Sequence, residues 1–424
     1  MSGPAPVRRF PAASRLRHMD APIRDVLGPA RELERQGHKV LKLNIGDPDA
    51  YDFAPPEPLS RALGEAAALG RYADSEGIPD IREAIVRYER DVRGLHLKAE
   101  DVVFTAGVSE ALSFLFGALL EPGDEILVPG PAYPQYLGVT SFYGAVPVEY
   151  PSRPENGWIP RIEDIAARVT PRTRAIAVIT PNNPTGAVYP RETIRAIARL
   201  AHERNLVLIS DDIYSELVFD GDGVAPSPAL EPGPCVVLNG FSKNWLVPGW
   251  RAGYVAFKHE NGELADIREG VLKQARSRLS ASFPIQVALA RALEARAPHV
   301  PELRRRLRER AEVVVKRVAE TENLALARPG GAFYALVGIR GLYPEQMREG
   351  DTTPARVWKP HNAFATDKDW VLGLLREEKV LVVHGSGFGQ SAAGHFRTVI
   401  LPPPETLHEA FDRIVRFADR HARA

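Results

Sequence analysis

The chain has 424 residues, enough for a large core and about two or three domains. Its 54 basic and 54 acidic residues cancel, so no global field points to nucleic acid or an anionic membrane, and no apolar run reaches bilayer length. A single cysteine, Cys235, excludes a disulfide framework within the chain and a cysteine-rich zinc site, and its apolar neighbours read as packing.

The N-terminus carries Arg8, Arg9, Arg15 and Arg17 with no acid before Asp20, the composition of a transit peptide. Pro4, Pro6 and Pro11 break up its start and no amphipathic period follows, so the expectation is a surface arm on a cytoplasmic enzyme. A helix is predicted over 26–36, ending near Gly37, then a strand over 40–45 that stops at Gly46. Helices are predicted over 59–69 and 81–92, separated by a polar turn, 71–77, with Tyr72 near its start.

From Val102 a βα alternation sets in. Strands are predicted over 102–105, 125–128, 145–150, 174–180, 206–210, 235–238 and 254–257. Pro147 places the third of these near a sheet edge. The helix expected over 109–120 is apolar on nearly every face and belongs inside a large domain. Further helices are expected at 162–169 and after residue 190, the latter with Ile194, Ile197 and Leu200 on one face. This pattern predicts an α/β fold with a mostly parallel sheet of seven-stranded type covered by helices.

The chain then turns helical to about residue 295. Val300, Leu303, Leu307, Ala311, Val314 and Val318 recur at three- and four-residue steps, one long amphipathic helix that opens a second, smaller α/β domain. That domain has predicted strands near 331–337, 380–383 and 396–401 and helices near 369–377 and 405–418. Residues 341–368 read as a polar loop insertion. The expected division is 1–60, arm and part of the small domain; 61–300, large domain; 301–424, linking helix and the rest of the small domain.

Ligands of open α/β sheets bind outside the carboxyl ends of the strands, and three polar clusters sit at such ends. They are Asn182, Asn183, Thr185 and Gly186; Asp211 to Tyr214; and Ser242 and Lys243 through Arg251. An acid can pair with a pyridinium nitrogen, and a tyrosine and an asparagine can bond a phenolic oxygen. A lysine can form an imine, and an arginine with a helix N-terminus can hold a phosphate. Ala106 to Ser109 supplies that helix start, with Ser109 read as cap and hydroxyl donor. Together these requirements describe pyridoxal 5'-phosphate. Asp212 beside Asp211 reads as structural. Gly385 to Gly389 tempts a dinucleotide reading, which fails because Gln390 takes the last glycine position and no helix opens there. Asp220 to Gly223 is a fragment of a calcium loop without its remaining ligands and reads as a turn. His384 and His395 either line the entrance or pack.

Over nearly its whole length the chain resembles the class I aminotransferases of pyridoxal-phosphate fold type I, and most of all their alanine aminotransferase branch. The matching pieces are the segments 43–48, 72–77, 123–133, 182–186, 211–214, 239–254, 383–389 and 394–397, in this order and spacing. The resemblance implies that Lys243 binds the cofactor covalently and shuttles the proton, that Asp211 pairs with the ring nitrogen, and that Asn183 and Tyr214 bond the phenolic oxygen. It implies Tyr133 stacked on the ring, Val108, Ser109 and Arg251 holding the phosphate, and Ser242 among the cofactor-binding residues. Arg397 matches the arginine that takes the substrate α-carboxylate, in a pocket with Gly46, Tyr133 and Asn183. Tyr72 matches a residue that reaches the neighbouring protomer's phosphate, so a homodimer is implied.

Two departures stand out. Gly240 replaces a serine that many relatives carry three residues before the lysine, and the 341–368 loop is longer than in the alanine branch. The expected activity is transfer of the amino group of L-alanine to 2-oxoglutarate. Aspartate, aromatic or branched-chain donors, or carbon-sulfur elimination, are the alternatives that the same lysine would serve.

Overall fold

The computed structural model describes residues 10–19, 21–294, 297–342 and 362–422. A short strand, β1 (Leu41–Lys42), precedes seven that build the main sheet: β2 (Val102–Thr105), β3 (Glu125–Gly130), β4 (Val146–Pro151), β5 (Thr173–Ile179), β6 (Val207–Asp211), β7 (Cys235–Gly240) and β8 (Gly253–Lys258). Their order is β2-β8-β7-β6-β5-β3-β4. β3 to β7 run parallel, and β8 runs antiparallel to both β2 and β7. β4, interrupted by Pro147, lies at an edge.

Alternation of side chains across the strands feeds two cores. Ile176, Val178, Leu208 and Val237 face one, while Ala175, Ala177, Ile209, Val236 and Leu238 face the other. The second core is closed by the helix Val108–Leu119, whose Ala111, Leu112, Leu115, Phe116 and Leu119 are buried. With both faces covered, the parallel strands expose only their ends, and those ends are where side chains are free to meet a ligand.

A second body of structure follows the helix Val300–Val318, whose six periodic apolar residues are all buried. It contains β9 (Leu324–Leu326), β10 (Tyr334–Ile339), β11 (Val380–Leu381), β12 (Val383–His384) and β13 (His395–Val399). An antiparallel sheet of order β12-β13-β10-β9 packs with this helix and with Pro404–His421 around a third core. The start of the chain joins the same core: β1 pairs in parallel with β11, and Val26, Ala30, Leu41, Leu43 and Phe53 are buried in it.

Several elements differ from the sequence reading. The strand expected over 40–45 shrinks to two residues, because its partner β11 is equally short. The apolar run 380–383 divides at Val382, one half pairing with β1 and the other with β13. The helix expected over 81–92 is α-helical only over Pro79–Tyr88 and continues as a π turn, Glu89–Arg93, that turns Arg93 inward. The stretch to residue 295 holds two helices, Ala265–Ser277 and Phe283–Leu293, with Leu279 between them at φ 75°. The helix Pro134–Phe142 and β9 were not expected. Of the 341–368 insertion, residues 343–361 lie outside the described residues. Its last two residues already belong to the helix Asp367–Glu378, capped by the Thr366 side chain.

Candidate active site

The carboxyl ends of β5, β6 and β7 open into a cavity of about 790 Å³. Val108, Ser109, Tyr133, Asn183, Asp211, Tyr214, Ser242, Lys243, Arg251, Gly46 and Arg397 all line it. Tyr72 does not: its residue is 81 % exposed on the outer surface.

Asp211 ends β6, held in register between β5 and β7. Its Oδ2 accepts from the Tyr136 hydroxyl at 2.8 Å and its Oδ1 from the Ile213 amide at 3.3 Å. Burial pushes the carboxyl up to about 7 against the pull of those two bonds. It is a buried acid in need of a cation. Asp212 faces the other way, into Arg93, Ser210 and Ser227, and is absent from the cavity wall, as its structural reading required.

Lys243 follows β7, and its Nζ donates to the Gly46 carbonyl at 3.0 Å. The missing serine at 240 has a steric reason. A Cβ there would lie 2.9 Å from both the Ala252 carbonyl oxygen and the Gly253 Cα, so the neighbouring backbone leaves no room for it.

At the other end of the cavity, Gly107 at φ 84° turns the chain into the helix Val108–Leu119. Ser109 is not its cap: the helix begins at Val108, Gly107 holds the cap position, and the Glu110 carboxylate accepts from the Ala106 amide at 2.7 Å. Arg251 lies over this helix start. It donates only to backbone carbonyls, Pro248 at 2.9 Å and Ala106 at 3.4 Å. A side chain at 107 would collide with its guanidinium. A cation and a helix N-terminus together make an anion site.

Arg397, on β13, is buried beneath the opposite wall. It donates to Asn183 Oδ1 at 3.0 Å and to the Asn44 carbonyl, and its Nε has no hydrogen-bond partner. The Tyr334 and Phe388 rings stack on it at 4.3 and 4.7 Å. Among the described residues it meets no carboxylate, which leaves a buried guanidinium free to take one in bidentate fashion.

Sequence reasoning missed Tyr136, Tyr334, Met19 and the residues Ala21 to Arg24, all of which line the cavity. Tyr136 lies one turn beyond Tyr133 on the helix Pro134–Phe142, which the sequence pattern did not disclose. His384 and His395 are not on the cavity wall: His395 packs edge-on against Trp158 at 5.2 Å, and His384 Nδ1 lies 2.9 Å from the Ser386 hydroxyl. Asp220 pairs with Arg308 and Arg328, as a surface turn would.

The cavity thus brings together a buried acid at Asp211, an amine at Lys243, a cation beside a helix N-terminus at Arg251 and a second, buried guanidinium at Arg397. A family model described as aminotransferase class I and II matches residues 38–414. Glutamate-pyruvate aminotransferase AlaA of Haemophilus influenzae is 35 % identical over 97 % of this chain and 98 % of its own. The aspartate/prephenate aminotransferase of Thermus thermophilus is 34 % identical over 92 % of this chain and 94 % of its own. The structure of an alanine aminotransferase from Pyrococcus furiosus superposes with a TM-score of 0.89 at 43 % identity, covering 97 % of this chain and all of that one. The chain belongs to the class I and II aminotransferase family.

Proposed function

We propose that the protein binds pyridoxal 5'-phosphate and moves the amino group of L-alanine to 2-oxoglutarate, giving pyruvate and L-glutamate in two half-reactions. The observation that carries this reading is the set of four charged groups on one cavity, Lys243, Asp211, Arg251 and Arg397. None has a counter-charge among the described residues. The cofactor supplies an electron sink for the carbanion at the substrate Cα. Lys243 would hold the cofactor covalently and, once released, would carry the proton taken from the substrate Cα. Asp211 would keep the ring nitrogen protonated, Asn183 and Tyr214 would bond the phenolic oxygen, and Tyr133 would support the ring. Val108, Ser109 and Arg251 hold the phosphate, with Ser242 beside them. Arg397, with Gly46 beside it, takes the substrate α-carboxylate.

Arg24 lines the cavity and makes no ion pair among the described residues, so it offers a cation to the second carboxylate of L-glutamate and 2-oxoglutarate. We further infer a cytoplasmic homodimer in which Tyr72 serves the neighbouring site. Among the described residues no helix is long and apolar enough to cross a membrane. The three-part division at residues 60 and 300 belongs to the same reading.

The test is the first half-reaction alone. Cofactor-loaded protein mixed with L-alanine and no oxo acid should release one pyruvate per site, and later addition of 2-oxoglutarate should yield L-glutamate. Conversion by aspartate, phenylalanine or valine in place of alanine would move the donor. Ammonia and pyruvate from cysteine would make the protein a lyase. Lys243→Ala should stay folded and lose both half-reactions, whereas Arg397→Ala should raise the donor KM by about a hundredfold through loss of a bidentate charged pair.

A further inference from the structure

Tyr334 is a buried phenol on β10, carried by the smaller antiparallel sheet, yet its polar neighbours belong to three other segments. Its hydroxyl lies 2.9 Å from that of Tyr214, which follows β6 of the main sheet. Its ring lies 4.3 Å from the Arg397 guanidinium. It also fills the space beside Gly46, where any side chain would collide with its hydroxyl. Burial alone would raise the Tyr334 phenol, but the Lys243 ammonium, the Arg397 guanidinium and the bond to Tyr214 hold it below its ordinary value. Tyr214 moves the other way, upward, because of burial and the Tyr334 oxygen beside it. The two hydroxyls share one hydrogen bond, so when one donates the other accepts.

We propose that Tyr334 is a positioning residue of this site: its hydroxyl donates to the Tyr214 oxygen and strengthens Tyr214 as a donor toward the cofactor, while its ring supports the plane of Arg397. The inference rests on the pyridoxal-phosphate reading above. Tyr214 has one proton. If that proton points at the cofactor's phenolic oxygen, the Tyr214 oxygen must accept, and Tyr334 is the hydroxyl in place to donate. Chains of hydrogen bonds polarise one another, so each donor in the series strengthens the next. A stronger bond from Tyr214 makes the phenolic oxygen a poorer acceptor for the proton on the lysine nitrogen. That nitrogen then loses its proton at lower pH. One phenol thereby links the group facing the ring oxygen to the group facing the substrate carboxylate, across the two sheets.

The experiment is a pH titration of the visible absorbance of the cofactor-loaded enzyme, compared between wild type and Tyr334→Phe. The variant keeps the ring and loses only the hydroxyl. Its midpoint should rise by about half a pH unit, roughly a threefold gain in proton affinity. The same substitution made on a Tyr214→Phe background should add nothing, because the relay is already cut. An unchanged midpoint in Tyr334→Phe, or an equal further rise on the Tyr214→Phe background, overturns the relay. The second limb is read in kinetics. Tyr334→Phe should leave the donor KM within about twofold, whereas Tyr334→Leu, which removes the aromatic face, should raise it about fivefold or more. Equal KM values for the two variants overturn the platform. A wild-type protein that takes up no pyridoxal phosphate defeats the cofactor reading itself. A normal wild-type titration beside an unmoved variant defeats only the role of Tyr334.

Discussion

Asp211 is a costly carboxylate to bury. Burial lifts its carboxyl to about 7, so the cofactor-free protein prefers it protonated. The unfolded chain binds that proton only below the ordinary aspartate range. The stability associated with the neutral acid is therefore complete below about pH 4 and is lost as the pH rises toward about 7, a change on the order of a few kcal/mol. Cofactor-free Asp211→Asn has no charge to bury. It should match the wild type near pH 4 and melt higher than it at pH 8, and parallel melting curves across that range would contradict the buried-acid account. If Asp211 pairs with the ring nitrogen as proposed, the loaded proteins should rank the other way at pH 8, since the carboxylate would then have its cation and an amide could not hold that nitrogen protonated. A group that opposes stability in the empty site and supports it in the filled one is set up for a ligand.

One element anchors the strand ends that carry this chemistry: the π turn Glu89–Arg93. Arg93 donates to Glu89 at 3.1 and 2.8 Å and to Asp212, while Glu89 also accepts from Asn239 at 3.0 Å and from Tyr254. Tyr88 and Asn244 meet on Glu216 at 2.7 and 2.5 Å. The turn thus grips the residue after Asp211 and, at Asn239, the end of β7, while Tyr88 just before it reaches the residue after Lys243 through Glu216. Arg93→Met should destabilise the protein by about 3–5 kcal/mol, because Glu89 and Asp212 would stay buried without their cation. Urea unfolding measures this, and a loss below about 1 kcal/mol would mean that water or a neighbouring group has replaced the guanidinium. The sequence announced little of this turn, since residues 81–92 carry an unbroken helical period. What it did announce follows from one-sided burial. Helix Val300–Val318 faces a core along one stripe, so its period is legible, whereas Pro134–Phe142 lacks a polar face and was invisible. The run 380–383 is apolar throughout, and periodicity carries no information about which partner each half pairs with. The polar clusters at the ends of β5, β6 and β7 were readable because parallel sheets bind at those ends. Tyr334, Met19 and the residues Ala21 to Arg24 reach the cavity only through long-range packing, which leaves no local mark in the sequence.

At the scale of the whole molecule, the site is built from both bodies of the chain: Arg397 reaches Asn183, Tyr334 reaches Tyr214, and Glu149 of β4 accepts from the Gln390 and Ser391 amides. Tyr72 is the proposed site residue that this assembly leaves outside. Its turn is nevertheless fixed: the Glu76 carbonyl accepts from Phe104 at 2.8 Å, Arg278 donates to the Ser75 carbonyl at 3.1 Å, and Gln286 Oε1 accepts from the Ile78 amide at 2.9 Å. A firmly held turn that presents an aromatic side chain to solvent suits a surface that is covered by a second copy. In a two-fold dimer each protomer would give its Tyr72 to the other's site. Lys243→Ala and Tyr72→Phe then damage different sites when they sit on different protomers. In a mixed dimer one site carries both defects and the other carries neither. Equal amounts of the two variants, unfolded and refolded together, should form mixed dimers as half of the population, so about a quarter of all sites are intact. Activity should rise to about that fraction of wild type, well above the mean of the two variants measured separately. If Tyr72 served its own protomer, every site in the mixture would carry one defect or the other, and the co-refolded sample would show only that mean.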